Sequence, residues 1–287
     1  ILIIFISINN LIVNMIRTDV GISFNWLFRP SGFTIAESLL PFKASDKYLW
    51  ALFVGWVNSI RIIISGLIFS TLIGTLAGIA RSSKKSFISN ISKFYLFIVR
   101  QTPLLLQLLF WYFVVLLSLP KNQFEVFNNL IIISNKSIVL FGMNFSVEFC
   151  ALFIGLTLFT GASISEIIRG GLNSVDRGQI EASKSLGLSD KDAMKLIILP
   201  QALPAIIPGL TSQYLNLAKN STLAIAVGYP DIYSISDTII TQTGRTIEGF
   251  IIILISFITL NLIINKLMSI VNSFVLRKNQ KQLGEKI

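Results

Sequence analysis

Five long apolar runs constrain this chain more than anything else in it. Residues 50–80, 94–119, 147–168, 202–227 and 250–275 are each almost free of charge. Each meets or exceeds the ~20 residues that an α-helix needs to cross a bilayer. Hydrocarbon offers no partner to a backbone N–H or C=O, so a spanning segment must bond internally as a helix. Hydrophobic residues make up 53% of the chain and charged residues 13%, against ~25% charged in soluble domains. The expected fold class is an all-α membrane protein. Residues 1–16 are a sixth apolar run, broken by Asn9, Asn10 and Asn14. The chain starts at Ile1 rather than Met, so a missing start would complete that span. No small-residue cleavage site follows it, which favours a retained helix over a signal peptide. The expectation is about six spans.

The connectors assign the sides. Residues 17–47, 121–146 and 228–248 carry seven Lys and Arg; residues 81–93, 169–200 and the tail carry thirteen. Cationic loops resist translocation, so the second group faces the cytoplasm. The net charge of +10 therefore reports topology and implies no nucleic acid partner. Trp26, Phe28, Tyr48 and Trp50 suit a membrane interface. The apolar stretch 130–133 is too short to cross, so 121–146 reads as an exterior loop. The resulting division is 1–47, a first helix and a periplasmic loop; 48–276, the membrane domain; and 277–287, a cytoplasmic tail. Gly66, Ser70, Gly74 and Gly78 recur every four residues, a small-residue stripe that lets a neighbouring backbone approach closely.

Several chemistries are excluded. Histidine is absent and Cys150 is the one cysteine, so no His-based catalysis, His metal site or internal disulfide is available. No phosphate-binding Gly-x4-Gly-Lys-[Ser/Thr] loop occurs, so the chain is not itself an ATPase. No nucleophile elbow or His-Glu-x-x-His motif occurs either. No catalytic residue, metal or cofactor is expected.

Residues 172–200 form a polar loop between spans, far longer than the two to eight residues usual in bundles. Residues 176–186 read as a short helix. Gly187 fits the left-handed position that ends it, letting Leu188 fold back onto Ala182 or Ser183. Ser189 then caps a second helix, with Asp192 as a partial capping box. That helix is expected to stop at Pro200. The result is a helix–turn–helix outside the membrane, suited to insertion into a groove on another protein.

The spacing Glu181-Ala182-Ser183-x3-Gly187-x9-Ile197-x-Leu199-Pro200 resembles the loop by which permease subunits of bacterial ABC importers dock onto their ATPases. Ser183 departs from the family's usual Ala and remains small. Ser165-Glu166-Ile167-Ile168-Arg169-Gly170-Gly171 and Arg100-Gln101-Thr102-Pro103-Leu104-Leu105-Leu106-Gln107 look like the polar amino acid branch. Thr241-Gln242-Thr243-Gly244-Arg245-Thr246 looks closer still to the general L-amino acid permeases. The resemblance implies a MetI-like transmembrane domain in the bacterial inner membrane. It also implies a second permease subunit, identical or different, two ATPases, an external substrate-binding protein and L-amino acids as cargo. Nucleotide closure of the ATPases would move the docking loops and switch the path between outward- and inward-facing. The rivals are the same fold with another small solute, an ion channel or secondary carrier, and a membrane-embedded enzyme.

Polar residues inside spans mark candidate sites. A lipid-facing Arg61 would cost ~2.5–3.5 kcal/mol on insertion scales, so it faces protein or water. It either attracts a substrate carboxylate or pairs internally with Glu148 or Glu166. Gln213, Asn216, Lys219 and Asn220 fall roughly on one helical face, lining a path or bonding to neighbouring helices. Arg100 and Glu166, near cytoplasmic ends, suggest a structural or gating pair.

Overall fold

The computed structural model describes Ile6, Asn9, Asn10, Val13 and residues 21–81, 86–126 and 130–284. The predicted first span, 1–16, lies almost wholly outside the described residues. The chain enters through an exterior segment with a 3-10 turn at Asn25–Phe28. The helices that follow are α1 (Tyr48–Arg81), α2 (Ser86–Gln101), α3 (Leu104–Leu116), α4 (Val147–Asn173), α5 (Arg177–Ser185), α6 (Asp190–Val227), α7 (Ile232–Thr243) and α8 (Thr246–Gly284). Among the described residues α1, α4, α6 and α8 are each long and apolar enough to cross a membrane; α2 with α3 makes a fifth candidate.

The bundle is organised on α1. Gly66, Ser70, Gly74 and Gly78 are all buried, and three of them meet α4. A Cβ on Gly74 would stand 2.6 Å from the Ile164 Cβ and 2.7 Å from the Gly161 carbonyl. One on Gly78 would stand 2.8 Å from the Ser165 carbonyl. Gly66 instead faces Leu217 of α6, at 3.2 Å. On the opposite face Ile64, Ile68, Leu72 and Leu76 are exposed. Small residues turn inward and large ones outward, the arrangement favoured where lipid removes the usual reward for burying large apolar side chains. A main core of Ile62, Leu108, Leu152, Leu156 and Leu217 fills the space between α1, α3, α4 and α6. Towards the residue-173 end of α4, Ile164, Ile168, Ile198, Ala202 and Ile206 lock it to α6.

Four expectations need correction. The run 94–119 is not one helix: α2 and α3 meet at an angle of 105°. Pro103 has φ −59° and ψ 139°, lacks an N–H, and pushes Thr102 out of the helical region. The Gln107 side-chain amide then donates to the carbonyls of Val99 at 2.8 Å and Thr102 at 3.0 Å, satisfying groups that the break exposes. Pro200, by contrast, stops nothing. The helix continues through it, because a wide π turn at Met194–Ile198 precedes it and it falls in the first turn of the α-helical stretch that follows; a missing N–H is tolerated there.

The exterior connectors are also more ordered than a loop. Residues 121–146 hold a four-stranded antiparallel meander, β1 (Phe124–Val126), β2 (Ile131–Ile133), β3 (Ser137–Leu140) and β4 (Met143–Ser146), in sequential order. Ile132 pairs with Val139 and Ile138 with Phe145. Its β-branched runs favour strands, and the tight turn carries positive φ at Phe141 and Gly142, as two-residue hairpins prefer. The segment 228–248 contains α7, whose Ile232, Ile235 and Ile239 pack on Ala51 and Leu52 of α1. Trp26 belongs to that same cluster, 5% exposed, and so is no interfacial anchor; Phe28 and Trp50 remain exposed.

The α1–α4 seam generates a prediction. Gly74→Val places two methyl groups where even a Cβ does not fit, and should lower stability by about 1–3 kcal/mol. Leu72→Ala, on the lipid side, should change far less. Unfolding midpoints in detergent would compare them; equal effects would show that the stripe is not the packing surface.

Candidate functional site

The helical knob between α4 and α6 is built from local signals. Asp176 caps α5 by accepting the Gly178 N–H at 2.6 Å. Gly187 ends it at φ +74°. The Gly187 N–H donates to the Lys184 carbonyl at 2.9 Å and the Leu188 N–H to the Ser183 carbonyl at 3.1 Å, the paired bonds of a Schellman cap. The Ser189 hydroxyl accepts the Asp192 N–H at 3.2 Å and lies 2.6 Å from the Asp192 carboxylate. The residues singled out by the motif then separate by position. Glu181, Ala182 and Gly187 are exposed on the knob. Ser183 is fully buried and donates its hydroxyl to the Ile180 carbonyl. Ile197 and Pro200 are half-buried and Leu199 exposed at the base of α6. Leu186, missed in the motif, is 78% exposed at the tip. An apolar side chain held into water beside a rigid turn suits a contact with another protein.

Above the knob, Glu166 on α4 gathers three cations. Arg81 of α1 donates to its Oε1, Arg100 Nη1 of α2 approaches the same oxygen at 3.2 Å, and Arg169 Nε reaches Oε2 at 3.3 Å. The expected Arg100–Glu166 pair is present, and Arg81 and Arg169 were the missed members. The cluster ties the C-terminal ends of α1, α2 and α4 to one carboxylate.

At the exterior end Arg61 pairs with neither Glu148 nor Glu166. Its partner is Glu37 of the exterior segment, at 2.5 Å, with both side chains 14% exposed. Glu166 lies eighteen residues beyond Glu148 on α4, about 27 Å along the helix, and Glu148 instead accepts from Tyr112 at 3.1 Å. The Arg61 guanidinium also lies over Phe149 at 4.3 Å and Phe145 at 5.1 Å, a cation–π arrangement. Ser146 donates to the other Glu37 oxygen. Asn58 Nδ2 donates to the Glu37 backbone carbonyl at 2.8 Å and to Pro230 O at 2.9 Å.

On α6, Asn216 and Lys219 are exposed, while Gln213 and Asn220 are half-buried. None of the four makes a side-chain hydrogen bond to another described residue. Nearby, Asp231 caps α7, its Oδ1 accepting the Ser234 N–H at 2.8 Å. It is fully buried and its Oδ2 has no partner among the described residues. Burial pushes its pKa from 3.8 up to about 7, against the pull of the Ser234 and Tyr233 N–H groups.

An apolar bundle of spanning-length helices, with a capped helical knob between two of them, defines an integral membrane subunit. Residues 70–277 match the family described as binding-protein-dependent transport system inner membrane component, and the chain belongs to that family. It is an inner-membrane transport subunit, not an enzyme. Permeases of this family work with an ABC ATPase and a substrate-binding protein. The chain is 31% identical to the general L-amino acid transport system permease protein AapQ of Rhizobium johnstonii, over 92% of this chain and 86% of that one. It is 30% identical to the putative amino-acid ABC transporter permease protein YhdX of Escherichia coli, over 92% and 88%. Among solved structures it resembles an amino acid ABC transporter crystallised with histidines, with a TM-score of 0.63 and 28% identity, over 79% of this chain and 94% of that one. The MetNI methionine transporter, at 17% identity and a TM-score of 0.61, shares the fold.

Two outcomes follow from this geometry. Gly187→Val puts a β-branched residue at positive φ, while an added Cβ meets nothing within 4 Å. Insertion should be normal, while ATPase co-purification and uptake fall about tenfold or more, about 1.4 kcal/mol; undiminished uptake would remove the knob from coupling. For Asp231, a folded pKa above the ordinary one stabilises the protonated form. Its stability contribution is complete below about pH 4 and is lost as pH rises through about 7. Asp231→Asn keeps the cap and should flatten the pH dependence of the melting midpoint over that window.

Proposed function

We propose that this chain is the permease of an ATP-driven importer of L-amino acids, working as one of two paired permease subunits. The observation that carries the cargo is the end-to-end similarity to two amino acid permeases at 30% identity or more. Pairing is supported by α6, because exposed Asn216 and Lys219 suit a protein or water surface and not hydrocarbon. On this reading Gln213, Asn216, Lys219 and Asn220 line the path between the subunits. The knob carrying Glu181, Ala182, Ser183, Gly187, Ile197, Leu199 and Pro200 seats in the ATPase, with Leu186 at the contact. Its movement travels into α6, which leaves the knob as one continuous helix, and from there into α4 through the packing of Ile164 and Ile168 on Ile198, Ala202 and Ile206.

Arg61 takes the α-carboxylate that all L-amino acids share, by the bidentate geometry open to a guanidinium. Glu37 occupies that position in the present structure, so substrate displaces one carboxylate with another. The Glu37 contact equally favours a second reading, in which the pair is a permanent tie holding the exterior segment on α1. Uptake of several radiolabelled amino acids separates the two. Arg61→Leu should lower uptake of every amino acid by about tenfold or more, about 1.4 kcal/mol, at normal protein levels. Arg61→Lys, which keeps charge but loses the fork, should fall between. A loss of folded protein in Arg61→Leu that Glu37→Gln restores together with transport would establish the tie and reject the carboxylate role.

A further inference from the structure

The elbow between α2 and α3 leaves α2 running across the cytoplasmic halves of α1 and α4. Ser89 and Ser92 donate to the carbonyls of Arg81 and Ala77, and Tyr95 donates to the carbonyl of Leu158. Leu96 and Val99 are buried beside Ala162. The opposite face is bare: Phe87, Ile91, Phe94 and Ile98, at i, i+4, i+7 and i+11, are all exposed. α2 meets α3 at 105°, and its apolar outer face suits a place in the membrane boundary.

The cations sit at the edge of that face. Lys93 and Arg100 are seven residues apart and so share a side of α2, with exposed Phe97 between them and the apolar stripe. Together with Arg81 and Glu166 they line an open cavity of about 360 Å³. The cluster is overcharged: Arg81, Lys93, Arg100 and Arg169 surround the single carboxylate of Glu166. Lys93 forms no ion pair among the described residues, and the Arg100 side chain is 53% exposed. Excess positive charge beside a lipid-facing apolar stripe, on the cytoplasmic side, is complementary to the phosphate layer of the inner leaflet.

We propose that this cavity binds one anionic phospholipid, its phosphate held between Lys93 and Arg100 and its acyl chains against Phe94 and Phe97. The bound lipid would clamp α2 to the Glu166 cluster and so brace the cytoplasmic end of the path. The proposal rests on the cavity and not on the nature of the cargo.

The test uses the assembled transporter in nanodiscs of phosphatidylcholine, with and without phosphatidylglycerol. The permease melting midpoint and the lipid retained after detergent extraction are both measured. Phosphatidylglycerol should raise the midpoint and be retained. Lys93→Gln combined with Arg100→Gln should abolish both effects, and Lys93→Gln alone, which breaks no ion pair, should weaken both. Lys195→Gln, a cytoplasmic cation away from the cavity, should leave both intact. Equal stabilisation of wild type and the double variant would overturn the proposal. Inorganic phosphate in phosphatidylcholine discs should not reproduce the shift; if it does, the cavity is a free-anion site and the lipid assignment is wrong.

Discussion

Everything in this molecule hangs on how closely α1 can approach α4. In lipid, two apolar helices gain little by hiding from solvent, because the solvent is as apolar as they are. What remains is dispersion at short range and the geometry that permits it. Gly74 and Gly78 bring the α1 backbone so near Gly161, Ile164 and Ser165 that even a Cβ would not fit. The seam fixes the relative height and rotation of the two helices, and every polar cluster in the bundle is then placed by that choice.

The two ends of the seam carry opposite kinds of polar work. At the exterior end α1 contributes Arg61 and Asn58, which hold the entering segment through Glu37. At the cytoplasmic end α1 contributes Arg81 and α4 contributes Glu166, joined by Arg100 from α2. Just past Glu166, α4 runs into the capped knob, and α6 returns from it packed on the same residues. α6 leaves the knob as one continuous helix, and α4 joins it through Ser174–Asp176.

The elbow at Pro103 shows how one residue redirects a whole element. Residues 94–119 have a spanning helix's hydropathy, yet the missing N–H of Pro103 and the restriction on Thr102 turn the chain by 105°. Gln107 makes the turn tolerable by donating to the carbonyls of Val99 and Thr102 that the break leaves free. The same break turns α2 out of line with α3 and sets its cations beside the Glu166 cluster.

What the sequence determined by itself was whatever depends on near neighbours along the chain. Hydropathy summed over twenty residues located α1, α4, α6 and α8, and the cap residues from Asp176 to Asp192 prescribed the helical knob, down to positive φ at Gly187. Pro103 was visible too, but its effect was hidden inside an unbroken apolar run. Only the tertiary structure decided which distant groups meet. Glu37 reaches Arg61, Trp26 is buried in the cluster shared by α1 and α7, and three arginines from three helices converge on Glu166. None of these has a periodic signature, because the spans are apolar on nearly every face and hydropathy cannot say which face meets which neighbour. That choice belongs to the fit of small residues against backbone, a property of two surfaces and not of one sequence.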